Sequence, residues 1–211
     1  MFELQKGAQI LAKIGGVKNL DQAWALFQEK ADQRNLDKLK QIATEDALLR
    51  IANAIAMGRP ARLFVNTGSA DDRAQVREMA MEKGEEENLA MPDHTVHFDL
   101  PEEQARIIDR TFYIVNEDES TSRLARTMAR PEAFEYIQQT MGGLMEGMTL
   151  IAGFYSRGPI GAHASVPALE ITTSAYVSHS ADILYRNCFE QFDQEVARRG
   201  YFFTNVHSEG L

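Results

Sequence analysis

The 211-residue sequence has one cysteine, one tryptophan and six prolines, and no stretch of 18 uninterrupted apolar residues. Each shortage removes a class of protein. A lone Cys188 cannot close an internal disulfide, and the helical pattern of its surroundings, YRNCFEQF, makes it a packed thiol rather than a nucleophile. Without a long apolar run no membrane-spanning helix is expected. The opening MFELQKGAQILAKIGG has an early Glu and no small-residue cleavage site, so no secretory signal is expected either, and the cytoplasm is the expected location. Basic residues are also scarce: 22 Lys and Arg stand against 31 Asp and Glu, a net charge of −9. A nucleic-acid or anionic-membrane surface needs a dense basic patch, so neither partner is expected, and any anionic ligand must be held by a local cluster. Nor does any segment carry the glycine spacing and lysine of a phosphate-binding loop.

What is present is 44% hydrophobic residues, enough for one large core. Residues 1–58 read as a helical segment, with Leu36, Leu39 and Ile42, then Leu48, Ile51, Ala52 and Ile55 at helical spacing, closed by Gly58 and Pro60. Trp24 sits on one of these faces and reads as core. Residues 59–211 read as the mixed α/β portion of the same domain. In it, ARLFVNTGS is a buried strand and turn, ADDRAQVREMAMEKG a helix, and TVHFDL and RTFYIV further strands. Residues 116–130 read as a surface loop, PEAFEYIQQTMGGLM as a helix with Pro131 in its first turn, Ser174 to Arg199 as one helix, and YFFTNVH as a last strand. The expected fold is α/β, a mixed α+β arrangement with the N-terminal helices packed on a sheet containing the strands near 62–66, 111–115 and 148–155.

Several chemistry-bearing residues have plain structural explanations. His94 and His97 are three apart, which places them on opposite faces of a strand and makes a shared metal improbable. Ser69 reads as a helix cap, with Asp71 and Asp72 complementing the helix dipole. The acidic run from Glu82 to Glu103 reads as a solvated face, Gly142 and Gly143 as a helix end, and Arg123, Arg126 and Arg130 as surface charges.

The stretch GMTLIAGFYSRGPIGAHASVPALEITTSAYV is more specific. It resembles the segment of GTP-dependent phosphoenolpyruvate carboxykinases in which a strand and S-M-G-P-x-G-S turn precede E-x-T-D-S-x-Y-V, matching at Ser156, Gly158, Pro159, Gly161, Glu170, Thr172, Ser174, Tyr176 and Val177. RLFVNTGSADD, PEEQARIIDRTFYIV and NVHSEGL are similar to three further blocks in the family's order, so the resemblance spans about residues 20–211. It implies the fold of the family's N-terminal domain, which forms one wall of the oxaloacetate and phosphoenolpyruvate site. GTP and Mn or Mg are implied for the complete enzyme, held by a C-terminal nucleotide-binding domain whose phosphate loop and metal ligands are not found in these residues. This chain alone is therefore expected to bind no cofactor and to be inactive, with that catalytic domain and a small carboxylate substrate as its partners.

One departure bears on the chemistry. Where the family's P-R-x-V-A-R block has its first, substrate-contacting arginine, this sequence has Glu102; the second survives as Arg106. Two unit charges about 6 Å apart at an effective dielectric of about 20 interact by about 3 kcal/mol, so the reversal weighs heavily on anion binding. Arg157, which stands in the S-M-G-P turn, can supply a replacement charge. The resemblance thus implies a substrate-binding set of Arg106 and Arg157 with Glu102 orienting one of them, all three near one another. Two alternatives remain: a diverged relative using pyrophosphate or another carboxylate substrate, and a non-catalytic interaction module.

Overall fold

The structure is a computed structural model that describes residues 11–99, 107–116, 119 and 121–208. Helices α1 (Leu20–Lys30), α2 (Gln33–Leu39) and α3 (Glu45–Gly58) come first. Asn19 and Asp32 cap the first two by accepting from Gln22 N and Asn35 N. Strand β1 (Arg62–Asn66) and helix α4 (Ala70–Glu82) follow, then two-residue strands β2 (Glu87–Asn88) and β3 (Thr95–Val96). A small parallel pair, β4 (Tyr113–Val115) and β5 (Thr127–Ala129), leads into α5 (Arg130–Met141). The chain ends with β6 (Thr149–Ser156), β7 (Pro167–Thr172), α6 (Ala175–Leu184), β8 (Arg186–Asn187), α7 (Phe192–Arg199) and β9 (Phe203–His207).

The main sheet runs β1-β6-β7-β9, with β1 parallel to β6, β7 antiparallel to it and β9 parallel to β7. Side chains alternate across it. Leu63, Val65, Leu150, Ala152, Phe154, Leu169 and Ile171 join the large core with Phe27, Leu39, Ile51 and Ile55 of the N-terminal helices, and with Phe189, Phe192 and Phe202. Trp24 is half-buried there, edge-on to Phe27 at 5.4 Å. On the other face Phe64 and Ile151 meet Val76 and Ala80 of α4 and Ala175 of α6 in a much smaller cluster. Helices therefore cover both faces, as the mixed α/β pattern implies.

Four expectations need correction. The stretch from Ser174 to Arg199 is two helices, not one. Helix α6 packs with α4 on one face of the sheet while α7 belongs to the large core on the other, so the chain must cross between them. It crosses at the edge of β6 that β1 leaves open beyond Gly153: β8 pairs with Tyr155 and Ser156, and Cys188 N donates to Phe154 O at 2.9 Å. Cys188 is accordingly not helical, although it is a packed thiol, and burial pushes its pKa up to about 12. Secondly, Tyr113–Val115 is outside the main sheet. Tyr113 and Ile114 are exposed, and the strand pairs with Thr127–Ala129, inside the segment read as loop. Thirdly, among the described residues of TVHFDL only Thr95–Val96 is strand. Fourthly, the acidic run is not wholly a solvated face: Glu86 is 3% exposed, and Glu85 and Glu86 both bond to α6.

Candidate functional site

The sheet face toward α4 and α6 carries the polar groups. Period-two alternation puts Asn66 of β1, Tyr155 of β6, Glu170 and Thr172 of β7, and Asn205 and His207 of β9 on it, with Arg157 next in line after Tyr155. All belong to the blocks singled out in the sequence. The structure thus gathers segments more than a hundred residues apart onto one surface.

At the end of β1, fully buried Asn66 donates through Nδ2 to Asp182 Oδ2 at 2.9 Å, to Ser178 Oγ at 3.2 Å and to Tyr155 Oη at 3.3 Å. Its Oδ1 accepts from Gly68 N at 2.9 Å. Tyr155 Oη donates to Asp182 Oδ1 at 3.0 Å. Burial, followed by the charge and hydrogen bond of Asp182, pushes the phenol pKa far up. Burial also raises the pKa of Asp182, against the opposing hydrogen bonds from Asn66 and Tyr155. Gly68 has φ 73°, and a Cβ there would stand 2.3 Å from Asn187 Cγ, so the turn needs glycine on both counts.

Beside this turn, Ser69 Oγ accepts from Asp72 N at 3.2 Å, the cap the sequence implies. Asp72 does more than complement a dipole. It is fully buried and accepts from Lys38 Nζ and Arg34 Nη2, each at 2.8 Å, and from Thr67 N and Oγ1 at 3.0 and 2.5 Å. Burial opposes its charge, but the lysine and threonine donors outweigh that and hold its pKa low. These residues line an open cleft of about 440 Å³ shared with Arg73 and Asn187. No local spacing announces the Lys38–Asp72 pair, because its partners are 34 residues apart.

Arg157 opens the turn after β6. Its Nη2 donates to Glu170 Oε1 at 2.9 Å, and its guanidinium carbon lies 5.2 Å from the centre of the Tyr185 ring. The Arg157 side chain keeps 37% of its surface exposed, and its buried Nε has no partner among the described residues. Asn205 Nδ2 donates to both oxygens of Glu170, at 2.8 and 2.9 Å, so the carboxylate is held from two strands. The observed carboxylate partner of Arg157 is therefore Glu170. Glu102 and Arg106 lie outside the described residues.

The turn itself is rigid for a reason the glycines and Pro159 only partly convey. Gly158 (φ 122°) passes so close to Ala164 that a Cβ would stand 3.1 Å from its carbonyl. Ser156 Oγ bonds Gly158 O at 3.0 Å and Ser165 Oγ at 2.7 Å. From α7, Glu195 accepts from Gly161 N at 3.1 Å, from Ser165 Oγ and from Arg198 Nη2 at 2.6 Å. Arg198 and Arg199 donate to Ala162 O and Ser165 O. Burial works against the charge of Glu195, but the Ser165 hydroxyl, Arg198 and the Gly161 amide outweigh it and hold its pKa below the ordinary glutamate value. Glu195 was not legible as a turn residue, because it lies in a different element 34 residues from Gly161.

The last two segments close the surface. Thr172 Oγ1 lies 3.0 Å from His207 Nδ1, and Thr173 Oγ1 donates to Ser208 Oγ at 3.3 Å, seating NVHS beside EITTS. Ser174 caps α6 by accepting from Val177 N. His94 is exposed and His97 is stacked on Tyr176, so the two histidines do not converge. Arg126 pairs with Asp109 and lies over Phe112, both at the surface strand pair.

This assembly of blocks agrees with comparison to known proteins. A family model described as the phosphoenolpyruvate carboxykinase N-terminal domain matches residues 50–211. The chain belongs to the phosphoenolpyruvate carboxykinase family. The phosphoenolpyruvate carboxykinase (GTP) of Thermococcus sibiricus is 34% identical over 184 residues, covering 87% of this chain and 29% of that protein. Its counterpart in Pyrococcus furiosus is 34% identical over 191 residues, covering 90% and 30%, and that of Saccharolobus solfataricus 32% over 173 residues, covering 82% and 28%. The chain thus spans about three tenths of the length of these curated carboxykinases. Among the described residues no helix is long and apolar enough to cross a membrane.

Proposed function

We propose that this chain is the substrate-side part of a GTP-dependent phosphoenolpyruvate carboxykinase, which converts oxaloacetate and GTP to phosphoenolpyruvate, GDP and CO₂. In that reaction the bond from the oxaloacetate methylene to its carboxylate breaks with loss of CO₂, and the resulting enolate oxygen takes the terminal phosphoryl group of GTP. Among the described residues no group of three or more His, Cys, Asp and Glu converges to hold a metal ion, so those residues do not fit the family's Mn or Mg. Metal and nucleotide binding are assigned to the rest of the enzyme. That remainder is the proposed partner of this chain, and the complete enzyme is proposed to act in the cytoplasm.

The role of this chain is anion recognition. The observation that carries it is that three of the four matched blocks lie on one polar sheet face, on which Arg157 is held by Glu170 and Tyr185. Arg157 is aimed by Glu170 and Tyr185, keeps 37% of its side-chain surface exposed, and sits on a turn clamped by α7, which is how an arginine is pre-organised for a carboxylate. Arg106, the retained arginine of the P-R-x-V-A-R block, is proposed to share the substrate with it, with Glu102 orienting an arginine rather than contacting the anion. Glu102 itself favours a second reading, a relative diverged toward another carboxylate. The test is GTP-dependent formation of phosphoenolpyruvate from oxaloacetate by the full-length protein. Turnover with GTP supports the first reading. Turnover only with another 2-oxo acid, or only with pyrophosphate, supports the second, and no activity with any of these overturns both.

A further inference from the structure

Between α4 and the Pro101–Arg106 block the chain makes a short excursion, residues 85–99, that apolar packing does not hold. Residues 87–94 are exposed, and β2 and β3 pair over only two residues each. Segments of this kind open locally at little cost unless polar contacts fasten them. Here the fastening is to the first turns of α6. Glu85 Oε2 accepts from Tyr176 N at 2.6 Å and from Ser174 Oγ at 2.9 Å, and Glu85 Oε1 lies 3.0 Å from Lys83 Nζ. Helix α6 already has its own cap in Ser174, so this carboxylate, 91 residues from Tyr176, adds a negative charge where the helix dipole favours one. One turn further along, His179 Nδ1 donates to Glu86 Oε1 at 2.7 Å. Glu86 is 3% exposed, and its Oε2 has no partner among the described residues. A buried carboxylate is a costly way merely to fill space. Finally the His97 ring stacks on Tyr176, with centroids 3.6 Å apart and planes 15° apart. Its Nδ1 lies 2.5 Å from Glu85 O, an acceptor only, so that nitrogen carries the proton. Its Nε2 is 3.1 Å from Asp99 Oδ1.

We infer that Glu85, Glu86 and His97 are positioning residues that clamp segment 85–99 onto the N-terminal turns of α6 and so hold its end at Asp99, from which the chain continues to the Pro101–Arg106 block. Tyr176 and Ser174, which receive the clamp, belong to the EITTSAYV block, so the contact ties two of the blocks together directly. Its catalytic consequence rests on the substrate role proposed above for Arg106; the clamp itself does not.

The test compares Glu85→Ala and Glu85→Gln with the unmodified full-length protein by hydrogen exchange and by kinetics. Glutamine keeps an acceptor for Tyr176 N and Ser174 Oγ, so it should restore most of what alanine loses. For Glu85→Ala the amides of residues 87–97 should exchange about tenfold faster while those of β6 are unchanged. KM for oxaloacetate should rise about fivefold or more, with kcat and KM for GTP within about twofold. Unchanged exchange at 87–97 overturns the clamp, and so does a loss spread equally over β6, which marks general unfolding. Faster exchange with an unchanged KM overturns its positioning role. If the unmodified protein has no carboxykinase activity, the proposed function fails and the exchange measurement still decides the clamp. Should Glu85→Ala not fold, His97→Ala, which removes only the stacking and its two hydrogen-bond positions, must show the same local acceleration.

Discussion

The two faces of the main sheet differ in what they do. Toward α1, α3 and α7 the sheet presents a largely apolar surface, interrupted by Ser156 and by Thr204, whose Oγ1 accepts from Arg50 Nη1 at 2.7 Å, with Phe154 edge-on to Phe189 at 5.4 Å and to Phe192 at 4.9 Å. Toward α4 and α6 it contributes Phe64 and Ile151 to a five-residue apolar cluster, and beyond them presents Asn66, Tyr155, Arg157, Glu170, Thr172, Asn205 and His207. The first face supplies the apolar burial that drives folding. The second supplies hydrogen-bonded and charged groups whose partners come from distant segments. Separating the two lets polar chemistry sit on a rigid sheet without diluting the core.

This contrast can be broken from either side. Phe154→Ala on the apolar face should have the largest effect on stability, about 4 kcal/mol, because it removes a fully buried ring and leaves a cavity. Denaturant unfolding measures it, and a loss under about 1 kcal/mol would show that this face is not the main source of stability. On the polar face, Asp72→Ala should cost about 3 kcal/mol, since Lys38 Nζ is left buried with Val65 O as its remaining partner. Asp72→Ala combined with Lys38→Met should recover much of that loss. If the double variant is no better than the single, the damage lies in the Thr67 and Ser69 cap rather than in an orphaned charge.

A smaller and more local effect concerns Glu195 and pH. Its pKa is depressed in the folded chain, so its stabilisation is full above about 4.5 and is lost as pH falls through the lower folded-state value. Exchange of the Gly161 amide, corrected for its intrinsic pH dependence, should speed up by about fivefold relative to β6 between pH 6 and pH 3. The same treatment of Glu195→Gln should show no such pH step. A step that persists in this variant would assign it to another carboxylate.

Periodicity made the apolar face legible. The i, i+3, i+4 spacing of Leu48, Ile51, Ala52 and Ile55 and the run LFV identify a helix and a strand that both contribute to the large core, because apolar burial follows local period. The blocks around Ser156–Gly161 and Glu170–Val177 were legible as similar to the carboxykinase family. The partners on the polar face were not. Glu170 for Arg157, Lys38 for Asp72, Glu195 for Gly161 and Glu85 for Tyr176 each join different elements, and no spacing rule links residues brought together only by topology. The break at Tyr185–Gln191 was hidden for a related reason. Its cause is the need to cross from one sheet face to the other, which becomes visible only when the order of strands is known.

We propose that the polar face, through Arg157, recognises the carboxylate substrate of a phosphoenolpyruvate carboxykinase. It is tested most directly by KM for oxaloacetate in the full-length protein carrying Arg157→Ala. A rise of about tenfold or more, equivalent to about 1.4 kcal/mol, is expected, with KM for GTP unchanged and the unfolding midpoint little altered. A KM for oxaloacetate equal to that of the unmodified enzyme would contradict it, and would leave Arg157 as a strut between β6, Glu170 and Tyr185.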